Sequence, residues 1–372
     1  MLQSGVAYQA CNEAPKCAVS ADRPKGSVVD LFCGVGGLTH GFRLENFAVV
    51  AGIDIDEDCR FPYERNNDAP FIRRDISDFT GEELNGLFIK GEPRILVGCA
   101  PCQPFSTYNQ KNSDPKWQLV DKFANLITDV KPDVVSMENV PRLLDFNGGA
   151  VFSSFVQKLE SEGYVVNHEI VFAPDYGVPQ RRSRLVLLAS LHGRINIENP
   201  WFAEEAHPTA GEAINGLCPI GAGEVDFADP LHRASRLSPV NLERIRASRP
   251  GGSWRDWDED LRAPCHRAVT GKTYVSVYGR MKSDEPAPTI TTQFFGFGNG
   301  RFGHPDQDRG LSLREGAILQ SFPPNYTFVP PGERVHIKKL GRMIGNAVPV
   351  LLGRLIARSI AKHLGAESDE QV

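Results

Sequence analysis

The stretch SVVDLFCGVGG, from Ser27 to Gly37, decides the fold. Its first part, Ser27 to Phe32, has the length and apolar composition of a buried β-strand. Glycines follow at once, and a helical pattern opens near Leu38. Glycines let a backbone approach a ligand closely, and a helix N-terminus offers free N–H groups. This order therefore predicts the start of a nucleotide-binding βαβ unit.

The glycine turn indicates a ligand other than a dinucleotide. The pyrophosphate-binding pattern requires a third glycine at position 39, where this chain has Thr39. Asp30, just before the turn, favours a cationic ligand end such as an amino group or a sulfonium. A tight turn without any ligand stays open as an alternative.

Two further acids follow predicted strands. A strand from about Phe47 to Ile53 ends at Asp54, and an acid at this position can accept hydrogen bonds from both hydroxyls of a ribose. Asp75 follows Arg73 and Arg74, where a polar group could meet the edge of an adenine.

A second motif, GCAPCQPFS from Gly98 to Ser106, follows the apolar run Arg94 to Val97. Pro101 and Pro104 prevent regular helix or ladder bonding around Cys102, so its thiol is predicted to lie on a stiff loop at the end of a strand. Ligands and chemistry collect at strand ends in α/β proteins, and Cys102 is therefore a candidate nucleophile. A redox pair of Cys99 and Cys102 stays open, although Cys99 is better explained as a buried, inert thiol.

Glu138 ends another apolar strand, Asp133 to Met137. A buried carboxylate is costly unless it is paired or working. The strands before Cys102 and Glu138 would end at the same edge of a parallel sheet, where a thiolate and a carboxylate can perform acid-assisted nucleophilic addition. The alternative is that Glu138 only pairs with an arginine such as Arg184.

Composition and charge argue against a secreted, disulfide-rich protein and against a membrane-spanning one. The chain has 372 residues, a net charge of −5 and eight cysteines, which is no disulfide framework. We find no signal peptide and no apolar run that could span a bilayer, and we expect a cytoplasmic protein. Arginines cluster between Leu231 and Arg249, which predicts a local basic surface despite the acidic total.

The alternation of helices and strands stops near Leu191. Helices are predicted at about 120–130, 150–161, 313–320 and 350–364. Residues 193–310 are rich in Gly, Pro, Arg and Trp, with short β-like runs at Tyr274–Tyr278 and Thr289–Thr292. We expect residues 1–25 to be a loose leader, 26–192 plus 311–372 to be one domain, and 193–310 to be a smaller, loop-rich one.

Six motifs in order resemble those of bacterial DNA (cytosine-5)-methyltransferases. They are DLFCGVGG (Asp30–Gly37), PCQ (Pro101–Gln103), ENV (Glu138–Val140), QRRSR (Gln180–Arg184), Arg314-Glu315 with QSFP (Gln320–Pro323), and GNAVP (Gly345–Pro349). The resemblance implies a Rossmann-like fold that binds S-adenosyl-L-methionine, with residues 193–310 as a target-recognition domain. The residues it places at the cofactor, together with those singled out above, are Asp30, Phe32, Gly34, Gly36, Gly37, Asp54, Ile55, Asp75, Ile76, Pro101, Asn346 and Val348.

The resemblance also implies a mechanism. Cys102 would add to C6 of a flipped cytosine, Glu138 would hydrogen-bond N3 and the amino group, and Arg184 would supply a positive field, with Arg182 beside it. Residues expected at double-stranded DNA are Gln103, Ser106, Arg233, Arg236 and Lys272. The polar segment from Ser106 to Gln118 is a candidate lid over the base.

Other functions were weighed against this one. Cytosine-5 methylation of transfer RNA is the main alternative, and a catalytically inactive DNA-binding regulator or a dehydrogenase fits less well. A separate cognate restriction endonuclease is a possible partner, no membrane is expected to be involved, and we expect a monomer.

Overall fold

The computed structural model describes residues 24–101, 117–268 and 275–370, with side chains to residue 365. The predicted leader therefore lies outside the described residues almost entirely, as do Cys102, Gln103, Ser106 and Lys272.

Seven strands form one mixed sheet in the order β3-β2-β1-β4-β5-β7-β6. The first five strands of the chain run parallel, whereas β7 runs antiparallel to both β5 and β6. The strands are β1 (Ser27–Leu31), β2 (Ala48–Asp54), β3 (Phe71–Arg73), β4 (Arg94–Gly98), β5 (Val134–Asn139), β6 (Val165–Phe172) and β7 (Ser183–Ser190). This topology confirms the predicted α/β, Rossmann-like fold.

Helices of the described chain pack on both faces of the sheet, and others lie in the 193–310 region. They are α1 (Gly37–Leu44), α2 (Arg60–Asn67), α3 (Gly81–Asn85), α4 (Gln118–Val130), α5 (Ala150–Ser161), α6 (Ala210–Ile214), α7 (Pro239–Ala247), α8 (Pro264–Arg267), α9 (Leu313–Leu319), α10 (Ile337–Asn346) and α11 (Val350–Glu370). The helix predicted to open near Leu38 is α1, and the other four predicted helices correspond to α4, α5, α9 and α11. Sequence periodicity missed α2, α3, α6, α7, α8 and α10.

Alternation along β1 divides the core into two layers. Val28 packs with α1 and α11 on one face, through residues such as Phe42 and Leu352. Val29 packs with α4 and α5 on the other face, through residues such as Phe123. Side chains of a strand point alternately to opposite faces, so burial on both faces explains why the neighbouring residues Val28 and Val29 are both apolar.

Residues 193–310 have a different construction. The described part of this region contains short helices and isolated β-bridges but no strand. A small core of its own is formed by Ile245, Trp254, Trp257 and Phe297, while other apolar residues, such as Met281, join the large core beneath the sheet. The division into two domains thus remains a prediction.

The β-like runs predicted in this region are wrong where the structure describes them. Tyr278 has a φ of 55°, which no regular strand allows. Thr289 and Ile290 bond residues near the start of β7 instead of a partner strand: the Thr289 hydroxyl donates to the Arg181 carbonyl and the Ile290 N–H to the Gln180 side chain. Single hydrogen bonds that involve a side chain thus stand where a β-strand was predicted.

One helical stretch, Ile337–Gly365, is apolar and long enough by composition to cross a membrane. It is 78% buried within the protein and is interrupted between α10 and α11. The core of the fold therefore accounts for its apolar character.

Candidate functional site

A cavity of about 700 Å³ opens at the carboxyl ends of β1, β2 and β4. Ten of the twelve residues predicted at the cofactor line it: Asp30, Phe32, Gly34, Asp54, Ile55, Asp75, Ile76, Pro101, Asn346 and Val348. Parallel strands bring their ends to one edge, which is why residues far apart in sequence meet here. Ile55 is 60% exposed and stands at the rim.

Gly36 and Gly37, the other two predicted cofactor residues, do not line the cavity. Gly36 has a φ of 87° and caps α1, and a Cβ on it would collide with the side chain of Asn67. A Cβ on Gly37 would collide with the carbonyl of Val348. Both glycines therefore serve close packing of the protein on itself.

Asp30 is a buried acid on the cavity wall. Its Oδ2 accepts a hydrogen bond from the Thr39 hydroxyl at 2.6 Å, whereas its Oδ1 accepts none from any residue that the structure describes. Burial raises the pKa of Asp30 to about 7, against the hydrogen bond from Thr39, which lowers it, and with the charge of Asp54, which raises it. Thr39, which stands where the dinucleotide pattern has its third glycine, thus holds one oxygen of Asp30.

Asp54 is fixed by backbone donors at the end of β2. Its two oxygens accept from the N–H groups of Gly34 and Asp56, each at 2.9 Å. Burial raises the pKa of Asp54, and these hydrogen bonds lower it in part. Phe32, which lines the same cavity, has a φ of 60°, a strained conformation for a residue with a side chain. The turn after β1 is thus shaped around the cavity.

Sequence reasoning missed several basic residues of the cavity wall. Arg74, Lys122 and Arg342 all line it, and Arg342 forms an ion pair with Asp56 at 2.8 Å. Arg342 lies four residues before Asn346 on α10, so the two share one face of the helix. Helical spacing from Asn346 could have identified Arg342.

Glu138, at the end of β5, lies between a thiol and a guanidinium. The Cys99 thiol donates to Oε2 at 2.8 Å, and Arg184 Nε lies 2.9 Å from Oε1. Glu138 is 2% exposed and Arg184 12%. The arginine contact is an ion pair without good hydrogen-bond alignment, since Oε1 accepts no hydrogen bond from the described residues. Its charge is compensated, but this oxygen retains hydrogen-bonding capacity.

Arg182 and Arg184 have different surroundings. Arg184 lies on β7, next to β5, and is paired with Glu138, the pairing that the sequence left open as an alternative role for this carboxylate. Arg182 is buried, and its guanidinium donates to the carbonyls of Ile290 and Ala347, each at 3.4 Å. These contacts tie the start of β7 to two loops.

The arginines of the basic cluster between Leu231 and Arg249 also differ in their surroundings. Arg236 and Arg249 are exposed, and Arg233 is half-buried with one donor 3.5 Å from the carbonyl of Val335. Arg244, by contrast, lies over the rings of Trp257 and Tyr278 and belongs to the small core. Part of the basic run therefore packs the protein, and part faces solvent.

A buried ion pair marks the fifth motif. The Arg309 guanidinium donates to both oxygens of Glu315, at 2.8 and 2.7 Å, and Ser312 N–H donates to Oε2 at 2.7 Å. Burial raises the pKa of Glu315, but hydrogen bonds from Arg309 and His304 outweigh it and hold the pKa far below the usual range. Next to it, Arg314 binds the carboxylate of Asp229. This motif joins α9 to residues of the 193–310 region.

Comparison with known proteins agrees with this geometry. The family model for C-5 cytosine-specific DNA methylases matches residues 26–362. The chain is 52% identical to the Type II methylase M.HgiDII of Herpetosiphon aurantiacus over 347 residues, which are 93% of this chain and 98% of that one. It is 30% identical to the Type II methyltransferase M1.HphI of Haemophilus parahaemolyticus, covering 90% of this chain and 86% of that one.

A solved structure has the same fold. A protein described as a prophage-encoded DNA modification methyltransferase of E. coli superposes with a TM-score of 0.69 at 21% identity, over 91% of this chain and 99% of that one.

Proposed function

Because the chain belongs to the C-5 cytosine-specific DNA methylase family, and is a DNA (cytosine-5)-methyltransferase, we propose how its residues carry out the transfer. The proposal assigns S-adenosyl-L-methionine to the cavity beside β1, a catalytic pair to Cys102 and Glu138, and duplex DNA to the surface around them.

The cavity suits S-adenosyl-L-methionine, which supplies an electrophilic methyl group on a sulfonium. Asp30 offers a buried carboxylate oxygen that lacks a partner among the described residues, as a cationic ligand end requires. Asp54, held by two backbone N–H groups, would accept the ribose hydroxyls. Phe32, Ile55 and Ile76 would enclose the adenine, with Asp75 at its edge, and Asn346 and Val348 would close over the methionine end.

Glu138 would recognise and polarise the cytosine. Its Oε1 has unused hydrogen-bonding capacity among the described contacts, so the amino group of the base would donate to the carboxylate, and N3, which is an acceptor, would share a proton with it. Arg184 would keep the carboxylate in place while the base binds. Hydrogen bonding at N3 favours negative charge at C5, which cytosine otherwise lacks.

Cys102 would make C5 a nucleophile. Its thiolate would add to C6, and the electron pair of the C5–C6 double bond would form the bond from C5 to the methyl carbon, while the methyl–sulfonium bond of the donor breaks and S-adenosylhomocysteine leaves. Loss of the C5 proton to a base and expulsion of Cys102 restore the ring and the free enzyme. Pro101, the residue before Cys102, lines the cavity, which supports a thiol next to the methyl donor. Arg182 would help to hold this edge of the sheet through the carbonyls of Ile290 and Ala347.

The target base must leave the duplex to be reached, at a cost of a few kcal/mol. The exposed arginines Arg236 and Arg249, with Arg233 beside them, would neutralise phosphates. Gln103, Ser106 and Lys272 are proposed to contact DNA as well, and residues 106–118 to cover the base.

RNA methylation is not favoured, because the family model that matches the chain is one for DNA methylases and the relatives described above are named Type II methylases. Since those relatives are named Type II enzymes, we propose a role in restriction-modification, with any cognate endonuclease acting as a separate protein. We further propose that the enzyme works as a cytoplasmic monomer.

The observation that carries this proposal is the buried Glu138 beside the cofactor cavity, compensated by Arg184 and still able to accept a hydrogen bond. The test is covalent trapping. Duplex oligonucleotides with 5-fluorocytosine at the modified position should form a methyl-donor-dependent adduct at Cys102, identified by peptide mass spectrometry. Absence of an adduct with an enzyme that methylates normal DNA would refute the mechanism.

A further inference from the structure

Cys99 is a thiol without a role in the methyl transfer proposed above. It follows β4 directly, and its N–H donates to the carbonyl of Leu31 at 3.3 Å. On the other side of the same loop, the Asn139 side chain donates to the carbonyl of Ala100 at 3.1 Å. The segment before Cys102 is therefore held between the ends of β1 and β5, and Cys99 has a defined position.

The Cys99 side chain joins two parts of the site. It contributes to the wall of the cofactor cavity, and its Sγ lies 2.8 Å from Glu138 Oε2. We propose that Cys99 is a positioning residue: its S–H group fixes Oε2, so that Oε1 faces the incoming cytosine. This inference rests on the proposed role of Glu138.

The chemistry of the donor explains why a thiol is suitable. A buried carboxylate needs hydrogen bonds on both oxygens, and leaving one unsatisfied is costly. Arg184 compensates the charge near Oε1 without aligned hydrogen bonding. A thiol is a weak donor, so it orients Oε2 without binding it as tightly as a second guanidinium would. The carboxylate is oriented in the empty enzyme and remains able to adjust when the base binds.

Two variants of Cys99 separate this function from packing. Cys99→Ala removes the donor, and Cys99→Ser replaces it with a hydroxyl of similar reach. We expect Cys99→Ala to lower the single-turnover rate of methyl transfer roughly 5- to 50-fold, in line with the loss of one hydrogen bond to a charged group. Cys99→Ser should recover most of that loss. The dissociation constant for S-adenosylhomocysteine should stay within about twofold in both variants. Cys218→Ala removes an exposed thiol that does not line the cavity; it is the control and should behave as wild type.

A double-mutant cycle with Glu138→Gln makes the test specific. Cys99→Ala should have little further effect on the residual rate of Glu138→Gln, because the interaction that it removes is already altered. Equal losses in Cys99→Ala and Cys99→Ser would indicate packing alone and overturn the proposal. So would a wild-type rate for Cys99→Ala, or a loss confined to cofactor affinity. If Glu138→Gln itself kept full activity, the proposed role of Glu138 would fall instead, which separates the two failures.

Discussion

Asp30 and Glu138 are buried carboxylates at the edge of the sheet. They differ in hydrogen bonding from Glu315, a buried carboxylate on α9 where residues 193–310 join the core. Asp30 and Glu138 each have one oxygen without a hydrogen bond from the described residues. Both oxygens of Glu315 accept hydrogen bonds from Arg309, and one of them also accepts from the Ser312 N–H. A buried polar atom without a partner is costly, so it persists where a ligand or substrate completes it. We therefore expect the completed carboxylate to stabilise the fold and the incomplete ones to bind ligand or substrate.

This comparison predicts that a Glu→Gln change lowers activity at Glu138 and stability at Glu315. Glu138→Gln should lower the methylation rate at saturating DNA and methyl donor by roughly 10²- to 10⁴-fold, the range expected for a positioned acid–base group. The protein should still fold and bind S-adenosylhomocysteine. Rates from tritiated methyl transfer, with calorimetry for binding, check this prediction. A loss of less than tenfold would contradict it.

Glu315→Gln should act on stability. Breaking a buried pair leaves the Arg309 guanidinium uncompensated, with no exposed surface, and should lower the free energy of unfolding by about 3–5 kcal/mol. Urea unfolding monitored by tryptophan fluorescence measures this change. The matched control is Glu212→Gln, which removes the charge from an exposed capping box on α6 and should cost about 1 kcal/mol or less. Similar midpoints for the two variants would mean that the Arg309–Glu315 pair is not a stabilising one.

Asp30 should make cofactor affinity depend on pH near neutrality. Because burial raises its pKa to about 7, the carboxylate that a cationic ligand requires forms only as the pH rises through 7. Affinity for S-adenosylhomocysteine should therefore rise by up to about tenfold per pH unit below 7 and level off above it. Asp30→Asn should bind more weakly and lose this dependence. Calorimetric titrations between pH 6 and 8.5 give both profiles, and parallel profiles would exclude Asp30 as the group that titrates.

The same shift has a consequence for the ligand-free enzyme. A raised folded-state pKa means that the stability linked to Asp30 is present at low pH and lost as the pH rises through about 7. Asp30→Asn should therefore raise the melting temperature of the free enzyme at pH 8 relative to wild type, while it weakens binding. A lower melting temperature at pH 8 would show that the Asp30 carboxylate is satisfied in the native protein.

The smallest effect is expected at the exposed arginines. Replacing Arg236 and Arg249 by Ala together should reduce the slope of log affinity for DNA against log salt by about 2, one for each phosphate contact. Lys90→Ala, an exposed lysine just before β4 at the opposite edge of the sheet, is the control and should leave the slope unchanged. An unaltered slope in the double variant would place the DNA elsewhere.

The sequence by itself predicted the elements whose signals are local. The strand and glycine turn at Ser27–Gly37, the acid after β2 and the two strand ends at Pro101 and Glu138 were all visible, because each depends on an apolar run and the residues next to it. The resemblance in six ordered motifs then predicted the family that the comparisons confirm.

Only the tertiary structure decided which charges are complete. Arg309 and Glu315 lie six residues apart and carry no local pattern that predicts their pairing. Gly36 and Gly37 were assigned to a ligand, although they pack against Asn67 and Val348. Whether the thiol at Cys99 is inert also depends on a contact with Glu138, 39 residues away in the chain. Periodicity reports which side chains are buried, whereas hydrogen-bond completion depends on which distant groups the folded chain brings within 3 Å of one another.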